Sequence, residues 1–206
     1  MSTIYIITGT PGSGKSTASD QLALGFERGI HIQGDSIYNM VHGGYKYPWE
    51  DKDEFLTQTM LDAMVQVHRV YSARGFVSII DYVFSIDQLC YFISQMEGDI
   101  SLTALLPDCS INVERDKHRT WTIGEERVIF YHRYFETVKE QLAVYALDNS
   151  QMSVDDTCSS ILGRKAIPAK DLLLSLKKGQ ELGVDLRALA AIRQKGDLPT
   201  VSWTLS

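Results

Sequence analysis

The residues with the clearest chemistry form one glycine-rich segment near the start of the chain. It satisfies the pattern G-x-x-x-x-G-K-S/T at every position, in the run Gly9-Thr10-Pro11-Gly12-Ser13-Gly14-Lys15-Ser16-Thr17. Glycines let a backbone curl tightly enough for several N–H groups to point at one phosphate. Lys15 adds a positive charge near the outer phosphates, and the Ser16 hydroxyl suits Mg²⁺. The sequence therefore predicts a nucleoside triphosphate site formed by residues 11–17.

The elements on either side of this segment suit a phosphate site. Ile4 to Ile7 is a β-branched and aromatic run that predicts a buried strand. A helix is predicted from Thr17 to Gly25, with Leu22, Leu24 and Phe26 on its buried side. Because such a helix begins with unpaired N–H groups and a positive dipole end, it favours an anion at the loop.

The bulk composition limits the classes of protein to which the chain can belong. Its 206 residues with 44% hydrophobic content predict one domain with one core. No apolar run approaches the ~18 residues of a membrane span, and no secretory leader is evident, so a cytoplasmic location away from membranes is expected. The net charge of −6 argues against nonspecific nucleic-acid binding. Cys90, Cys109 and Cys158 are odd in number and widely spaced, which predicts reduced thiols rather than disulfides or a zinc site.

Strand-like and helix-like stretches alternate, which predicts an α/β fold with a parallel sheet covered by helices. Further strands are predicted at 30–33, 76–80, 102–106 and 143–147. One helix is predicted at about 53–74, and a second from a cap at Ser85 or Asp87 to residue 96. The charged segment 113–127 leads into a third helix that ends at 140, and a capping box at Ser153 begins a fourth that ends at 162. Beyond 163, residues 171–178 and 185–193 predict helices, and 199–205 predicts an edge strand or a tail. Packing of this last part on the core or on a partner subunit stays open.

Two aspartates follow predicted strands at the edge where open α/β sheets bind ligands. Asp81 follows the third strand, where a carboxylate can hold Mg²⁺ with Ser16 or contact the substrate. Asp35 follows the second strand and can accept a proton from a substrate hydroxyl while orienting it for attack. Plainer interpretations are a turn or helix cap for Asp81, and the N-cap of a short helix over 36–41 for Asp35.

The segment 113–127 is rich in arginine. Arg115 and Arg119 are four residues apart, so a helix would place them on one face. Guanidinium groups suit phosphate oxygens, and a segment that brings them over a nucleotide also excludes water. The plainer interpretation is a solvated charged helix with pairs such as Asp116 and Arg119.

Taken together, these features resemble the small P-loop kinases, a group that includes shikimate kinase, gluconate kinase, chloramphenicol phosphotransferase and the zeta-toxin kinases. The likeness is greatest to bacterial ATP-binding proteins of the gluconate kinase type and covers roughly residues 3–162. It rests on the phosphate loop and on the stretches Gly34–Tyr45, Pro48-Trp49-Glu50, Arg115-Asp116, Gly124-Glu125 with Arg127, and Asp148-Asn149-Ser150.

The resemblance implies a three-layer P-loop NTPase fold with a five-stranded parallel sheet of order 2-3-1-4-5. It also implies ATP with Mg²⁺ and transfer of the γ-phosphate to a small hydroxylated molecule. By the same resemblance Asp35 is the base, Arg115 or Arg119 touches ATP, and Arg127 faces ATP or substrate. The kinase domain is expected at 1–162, with 163–206 as a C-terminal extension without a counterpart in the family.

The leading hypothesis is an ATP-dependent phosphotransferase, monomeric or homodimeric, that acts on a small-molecule hydroxyl and binds no nucleic acid. The alternatives are a nucleotide-dependent switch or NTPase acting through a protein partner, a nucleotide binder without catalysis, and a polynucleotide 5′-hydroxyl kinase. Tyr45, Tyr47 and Trp49 lie close to Asp35 in sequence and either stack on the acceptor or cap the core. Apart from Lys46 the loop has no anchor for a carboxylate, so gluconate itself is not assigned as the acceptor.

Overall fold

One sheet organises the fold, which the computed structural model describes through residues 3–48, 50–51, 54–119 and 122–181. The strands are β1 Ile4–Gly9, β2 Gly29–Gln33, β3 Val77–Asp81, β4 Asp99–Leu105, β5 Ala146–Leu147 and β6 Ile167–Pro168. The helices are α1 Lys15–Leu24, α2 Gly34–Tyr38, α3 Phe55–Ser72, α4 Ile86–Ser94, α5 Cys109–Lys117, α6 Glu125–Thr137, α7 Lys139–Leu142, α8 Val154–Leu162 and α9 Ala169–Glu181.

The sheet has the order β2-β3-β1-β4-β5, and all of these neighbours pair in parallel. This confirms the predicted P-loop NTPase topology. The strand β6 adds a sixth member, because it pairs antiparallel with the beginning of β4 while β5 pairs with its end. The sequence analysis did not predict β6, which is only 2 residues long.

Apolar side chains on both faces of the central strands explain the three layers. Ile6 and Ile80 are fully buried in the larger core cluster, which includes residues of α3, α4 and α9. Ile7 and Ile79 are fully buried in a second cluster with residues of α1 and α8. A parallel sheet covered on both faces needs such continuous apolar runs rather than alternation.

The helix after the phosphate loop buries a different side from the one predicted. Leu22 is buried, as expected, but Leu24 is 82% exposed, so its predicted place in the core is wrong. The helix begins at Lys15, and its buried residues are Lys15, Ala18, Ser19 and Leu22. These follow the helical spacing of three and four residues, and Leu24 lies off that face.

The second half of the sheet is less regular than predicted. The expected helix to residue 140 is interrupted at Val138, which separates α6 from the short α7. The fifth strand was expected from 143 but forms only at Ala146–Leu147. The capping boxes at Ser85 and Ser153 are both present, with each serine hydroxyl accepting from the backbone N–H three residues on.

The described part of the C-terminal extension packs on the core. Helix α9 contacts α4 and α7, and Leu172 and Leu176 are fully buried there. The helix predicted at 171–178 is therefore present as part of α9. The elements predicted at 185–193 and 199–205 lie outside the described residues, and the boundary at 162 stays a prediction.

The three cysteines are free thiols. Among the described residues, no helix combines the length and the apolar character that crossing a membrane requires.

Candidate active site

The phosphate loop links β1 to α1 and depends on its glycines. Gly12 and Gly14 have φ angles of 79° and 87°, in the left-handed region that favours glycine. A Cβ on Gly12 would lie 2.5 Å from the backbone oxygen of Asn112. The loop is thus closely packed against α5, and neither glycine tolerates a side chain without strain.

Lys15 is buried within this loop. Its Nζ donates to the backbone oxygen of Thr10 at 2.9 Å. Desolvation lowers the pKa of Lys15 to about 8, although the carboxylates of Asp81 and Asp35 act in the opposite direction. Lys15 therefore stays largely protonated at neutral pH and offers a poorly hydrated cation to an incoming phosphate.

Two asparagines hold the loop from outside. Asn112 on α5 donates to Thr10 Oγ1 at 2.8 Å, and Asn149, after β5, donates to the Ser13 carbonyl at 2.9 Å. Both side chains are buried. The sequence analysis quoted Asn149 within the family resemblance but assigned it no role, and it missed Asn112.

Ser16 lies at one end of a chain of hydrogen bonds. Its hydroxyl donates to Asp81 Oδ2 at 2.7 Å, and His31 Nε2 lies 2.7 Å from Asp81 Oδ1. His31 Nδ1 lies in turn 2.6 Å from Asp20 Oδ1. Burial alone would lower the pKa of His31, but the hydrogen bonds to Asp81 and Asp20 raise it overall. The chain fixes the orientation of the buried Asp81 carboxylate, and sequence reasoning missed His31.

The donors at this position fit Mg²⁺. Ser16 and Asp81 present a hydroxyl and a carboxylate, which are the hard oxygen ligands that this ion prefers. The described residues contain no cluster of three or more histidine, cysteine or acidic side chains suited to a metal. A magnesium ion here would therefore depend on water and substrate phosphate for its remaining ligands, as is usual for Mg²⁺.

Asp35 lies near the start of α2, next to the loop. The N-cap of α2 is Gln33, so the interpretation of Asp35 as a helix cap is wrong. The residue as a whole is exposed, but the protein around its carboxyl group desolvates that group and raises its pKa, with Lys15 opposing and Asp81 reinforcing the shift. Asp35 and Lys15 therefore act on each other electrostatically across the site.

Arg115 and Arg119 reach the loop from the segment 113–127. Arg115 Nη2 donates to the Asn149 carbonyl at 3.2 Å, and Arg119 Nη1 lies 3.8 Å from Asp116 Oδ1. Helix α5 ends at Lys117, so Arg119 follows the helix rather than sharing its face with Arg115. The two arginines nevertheless line the same cavity.

This cavity has a volume of about 300 Å³, at the lower end of the range for ligand pockets. It is lined by residues of the phosphate loop and by the two arginines, together with Asn149, Met152, Val154 and Thr157. The lining thus combines cations beside the loop with polar and apolar side chains from the segment that leads into α8.

Comparisons with known proteins agree with this geometry. A family model described as AAA domain matches residues 6–141, more than half of the chain. The chain belongs to the AAA_18 family of AAA domains. No curated protein is significantly similar in sequence.

Solved structures share the fold of this AAA domain. A gluconokinase from Sinorhizobium meliloti is 17% identical with TM-score 0.55, over 87% of this chain and 94% of the other. A shikimate kinase from Acinetobacter baumannii is 20% identical with TM-score 0.52, over 79% and 91%. A chain of the Pnkp1/Rnl/Hen1 RNA repair complex is 18% identical with TM-score 0.54, over 68% of this chain but only 46% of the other. The AAA domain thus spans about half of that repair protein, and the predicted small P-loop kinase fold is confirmed.

Seven of the predicted site residues line the cavity of this AAA domain together: Gly12, Gly14, Lys15, Ser16, Thr17, Arg115 and Arg119. Pro11 and Ser13, which belong to the same predicted loop, are not among the lining residues. Asp81 accepts a hydrogen bond from Ser16, the residue after Lys15, and both Asp35 and Asp81 act electrostatically on Lys15. Arg127 is half-buried on α6 and donates to the Ile123 carbonyl at 3.2 Å. Its contact with ATP or substrate stays a prediction. Trp49 lies outside the described residues.

Asp116 is a further residue of the site, which the sequence analysis quoted within the family resemblance and otherwise treated only as a surface partner of Arg119. It is 2% exposed, and its Oδ2 accepts the backbone N–H groups of Ile123 and Gly124, both at 3.2 Å. Together with the ion pair to Arg119, these bonds tie both ends of the stretch between α5 and α6 to one carboxylate. Asp116 therefore positions Arg119 in this AAA domain.

Replacing Asp116 with Asn should lower the turnover of ATP by about tenfold and the free energy of unfolding by about 1–3 kcal/mol. An amide keeps the shape but pairs less well with the two backbone N–H groups and with Arg119. Steady-state kinetics and thermal denaturation measure the two effects. Glu114→Gln is the matched control, because Glu114 is an exposed carboxylate on the same helix and should tolerate the change. Equal effects of both variants would contradict the assignment.

Proposed function

We propose that this AAA domain is an ATP-dependent phosphotransferase that moves the γ-phosphate of ATP to a hydroxyl group of a small molecule. The observation that carries the proposal is the position of Asp35. Lys15 and Arg119 both act electrostatically on its carboxylate, yet the residue takes no part in capping α2. A carboxylate here can accept the proton of an acceptor hydroxyl, a role that the Ser16–Asp81 pair, proposed to hold Mg²⁺, does not fill.

Several positively charged or hydrogen-bonding groups of the chain stabilise the phosphates in the proposed reaction. Lys15 places a positive charge at the outer phosphates, and the backbone N–H groups of residues 12–16 face the same oxygens. Arg115 and Arg119 approach the cavity from α5 and the residues after it, and they compensate charge that spreads over the transferring group. Their enclosure of the cavity also limits the access of water.

Ser16 and Asp81 would hold Mg²⁺, which when bound neutralises charge on the β- and γ-phosphate oxygens. His31 and Gln33 support this pair, since His31 contacts Asp81 and Gln33 donates to Ser16 Oγ at 2.9 Å. Their contribution is to keep the two oxygen donors in one orientation.

Asp35 acts on the acceptor. Its carboxylate accepts a hydrogen bond from the acceptor hydroxyl and takes the proton as the oxygen bonds to the γ-phosphorus. The bond from that phosphorus to the β–γ bridging oxygen breaks, and the electron pair leaves with ADP. The raised pKa of Asp35 brings the carboxyl closer to the operating pH and makes it a better base than an ordinary aspartate.

The decisive experiment measures ATP consumption by the purified protein with Mg²⁺ across a panel of sugars, sugar acids, nucleosides and hydroxylated antibiotics. We expect one chemical class to stimulate ADP formation, with a phosphorylated product visible by mass spectrometry. Lys15→Ala serves as the control for contaminating kinases. If ATP binds tightly but no compound stimulates ADP formation, the result would contradict the proposal and favour the switch hypothesis.

A further inference from the structure

Asp35 is surrounded by tyrosines that the proposed mechanism does not use. The pKa of Tyr45 is raised by burial and then by Tyr47 and Asp35. The pKa of Tyr82 is raised well above its usual value by burial, followed by Asp35 and Tyr131. Tyr82 also packs on the residue before Asp35, because a Cβ on Gly34 would lie 2.7 Å from its ring. These rings come from the loop after α2, the end of β3 and α6, so the fold gathers them from distant parts of the chain.

The rings of Tyr38, Tyr45 and Tyr47 pack against one another and form an ordered wall. Tyr38 and Tyr45 pack edge to face with ring centres 5.8 Å apart, and Tyr45 and Tyr47 do the same at 5.4 Å. The Tyr38 hydroxyl donates to the Lys46 carbonyl at 2.9 Å, and the Tyr45 hydroxyl donates to Asn39 Oδ1 at 3.3 Å. Tyr38 is buried, whereas Tyr45 and Tyr47 keep part of their surface exposed. A wall that is fixed from behind and partly open in front is suited to the flat or apolar face of a ring.

The charges beside this wall are acidic. Glu50 acts on both Tyr38 and Tyr45, the buried Asp51 acts on Tyr38, and Glu54 acts on Tyr82. With Asp35 they place four carboxyl groups around the tyrosines. The cations that act electrostatically on Asp35 are Lys15 and Arg119, and both line the cavity at the phosphate loop. The Lys46 side chain is exposed at the wall's edge.

We propose that the acceptor is a ring-bearing alcohol that carries no negative charge, either neutral or cationic, and that Tyr45 and Tyr47 bind its ring. A carboxylate or phosphate on the acceptor would enter a region that already holds like charge, and such a juxtaposition is a common means of rejecting a wrong ligand. A neutral or amino-substituted ring meets the tyrosine faces and the carboxylates without that penalty. This inference rests on the proposed phosphotransferase function and narrows its acceptor.

The test uses pairs of ring-bearing acceptors that differ chiefly in charge. Shikimate is compared with its methyl ester, glucuronate with glucuronamide, and a nucleoside 3′-monophosphate, which keeps its 5′ hydroxyl, with the nucleoside. An amino sugar is assayed beside them as a cationic acceptor. Product formation is followed by mass spectrometry at fixed ATP and Mg²⁺. We expect the uncharged member of any pair that is phosphorylated to have a kcat/KM at least about tenfold above that of the anionic member.

Matched variants locate the effect at the wall. Tyr45→Ala should raise the KM for the acceptor about tenfold while the KM for ATP stays within about twofold, and Tyr45→Phe should keep the ring contact and change little. Glu50→Gln keeps the hydrogen bond to the Tyr47 N–H and should shift the preference toward the anionic member by about two- to fivefold.

The outcomes separate this inference from the proposed function. Preferential phosphorylation of an anionic member, lost in Lys46→Gln, would overturn the inference and leave the phosphotransferase intact. Equal effects of Tyr45→Ala and Tyr45→Phe on the acceptor KM would overturn the assigned role of the ring. Tight ATP binding without phosphorylation of any member, amino sugars and nucleosides included, would overturn the proposed function itself.

Discussion

Lys15→Ala should abolish ATP turnover and weaken ATP binding, the largest effect that we expect from any single change in this chain. Lys15 is buried in the loop with its Nζ at the Thr10 carbonyl, so its charge is poorly screened by water. An incoming phosphate gains most from a cation in such surroundings. Without it the backbone N–H groups and the arginines still attract phosphate, but the buried cation of the phosphate loop is lost from its place beside the outer phosphates. We expect kcat/KM to fall by about 10³ or more.

The measurement is coupled-assay kinetics together with calorimetric titration of ATP. Thermal denaturation should show a folded variant, since the change removes a buried charge whose desolvation already lowers its pKa to about 8. Lys15→Arg is the informative companion because it keeps the charge but adds volume beside Thr10 and Asp81. It should recover part of the binding and little of the turnover. Wild-type turnover in Lys15→Ala would remove the loop from the mechanism.

The phosphate site could be predicted because its information is local in sequence. The loop from Gly9 to Thr17, the strand before it and the helix after it are contiguous, and a short pattern specifies all three. Asp35 and Asp81 were found by a second rule, that side chains at the carboxyl ends of parallel strands meet at one edge. Both rules need only the order of the elements, and the observed order confirms them.

The residues that support the site could not be found in this way. Asn112 contacts Thr10 over a separation of 102 residues, and Asn149 contacts Ser13 over 136. His31 lies inside a predicted strand, where a histidine has no pattern that distinguishes it from a core residue. The role of Asp116 depends on the backbone N–H groups of Ile123 and Gly124, which every residue type except proline carries. Such contacts are properties of the packed chain and have no signature in the sequence.

The error at Leu24 has a related cause. Its apolar side chain made it a core candidate, but the loop sets where α1 begins and therefore which face turns inward. A hydrophobic pattern over a helix of 10 residues leaves that rotation poorly determined. The strand β6 was missed for another reason, because two residues that pair with the start of β4 carry no periodicity.

Asp35→Asn should cut acceptor phosphorylation by about 10² or more while ATP affinity stays within a few-fold. The amide can still accept a hydrogen bond from the acceptor hydroxyl, but it cannot take the proton. ATP binding should hold, or strengthen slightly, because the change removes a negative charge that acts on Lys15. A collapse of ATP affinity would instead place Asp35 in the nucleotide site or in the fold.

The pH profile gives an independent measure of the same residue. The carboxylate is the active form of the base, and desolvation raises the pKa of Asp35 above its ordinary value of 3.8. As pH falls through the raised pKa the group gains a proton, so kcat/KM for the acceptor should decline at a higher pH than an ordinary aspartate would allow. Asp35→Asn should lack this decline, whereas Asp35→Glu should retain one at a shifted position. A wild-type acid limb that persists unchanged in Asp35→Asn would assign the proton transfer to another group.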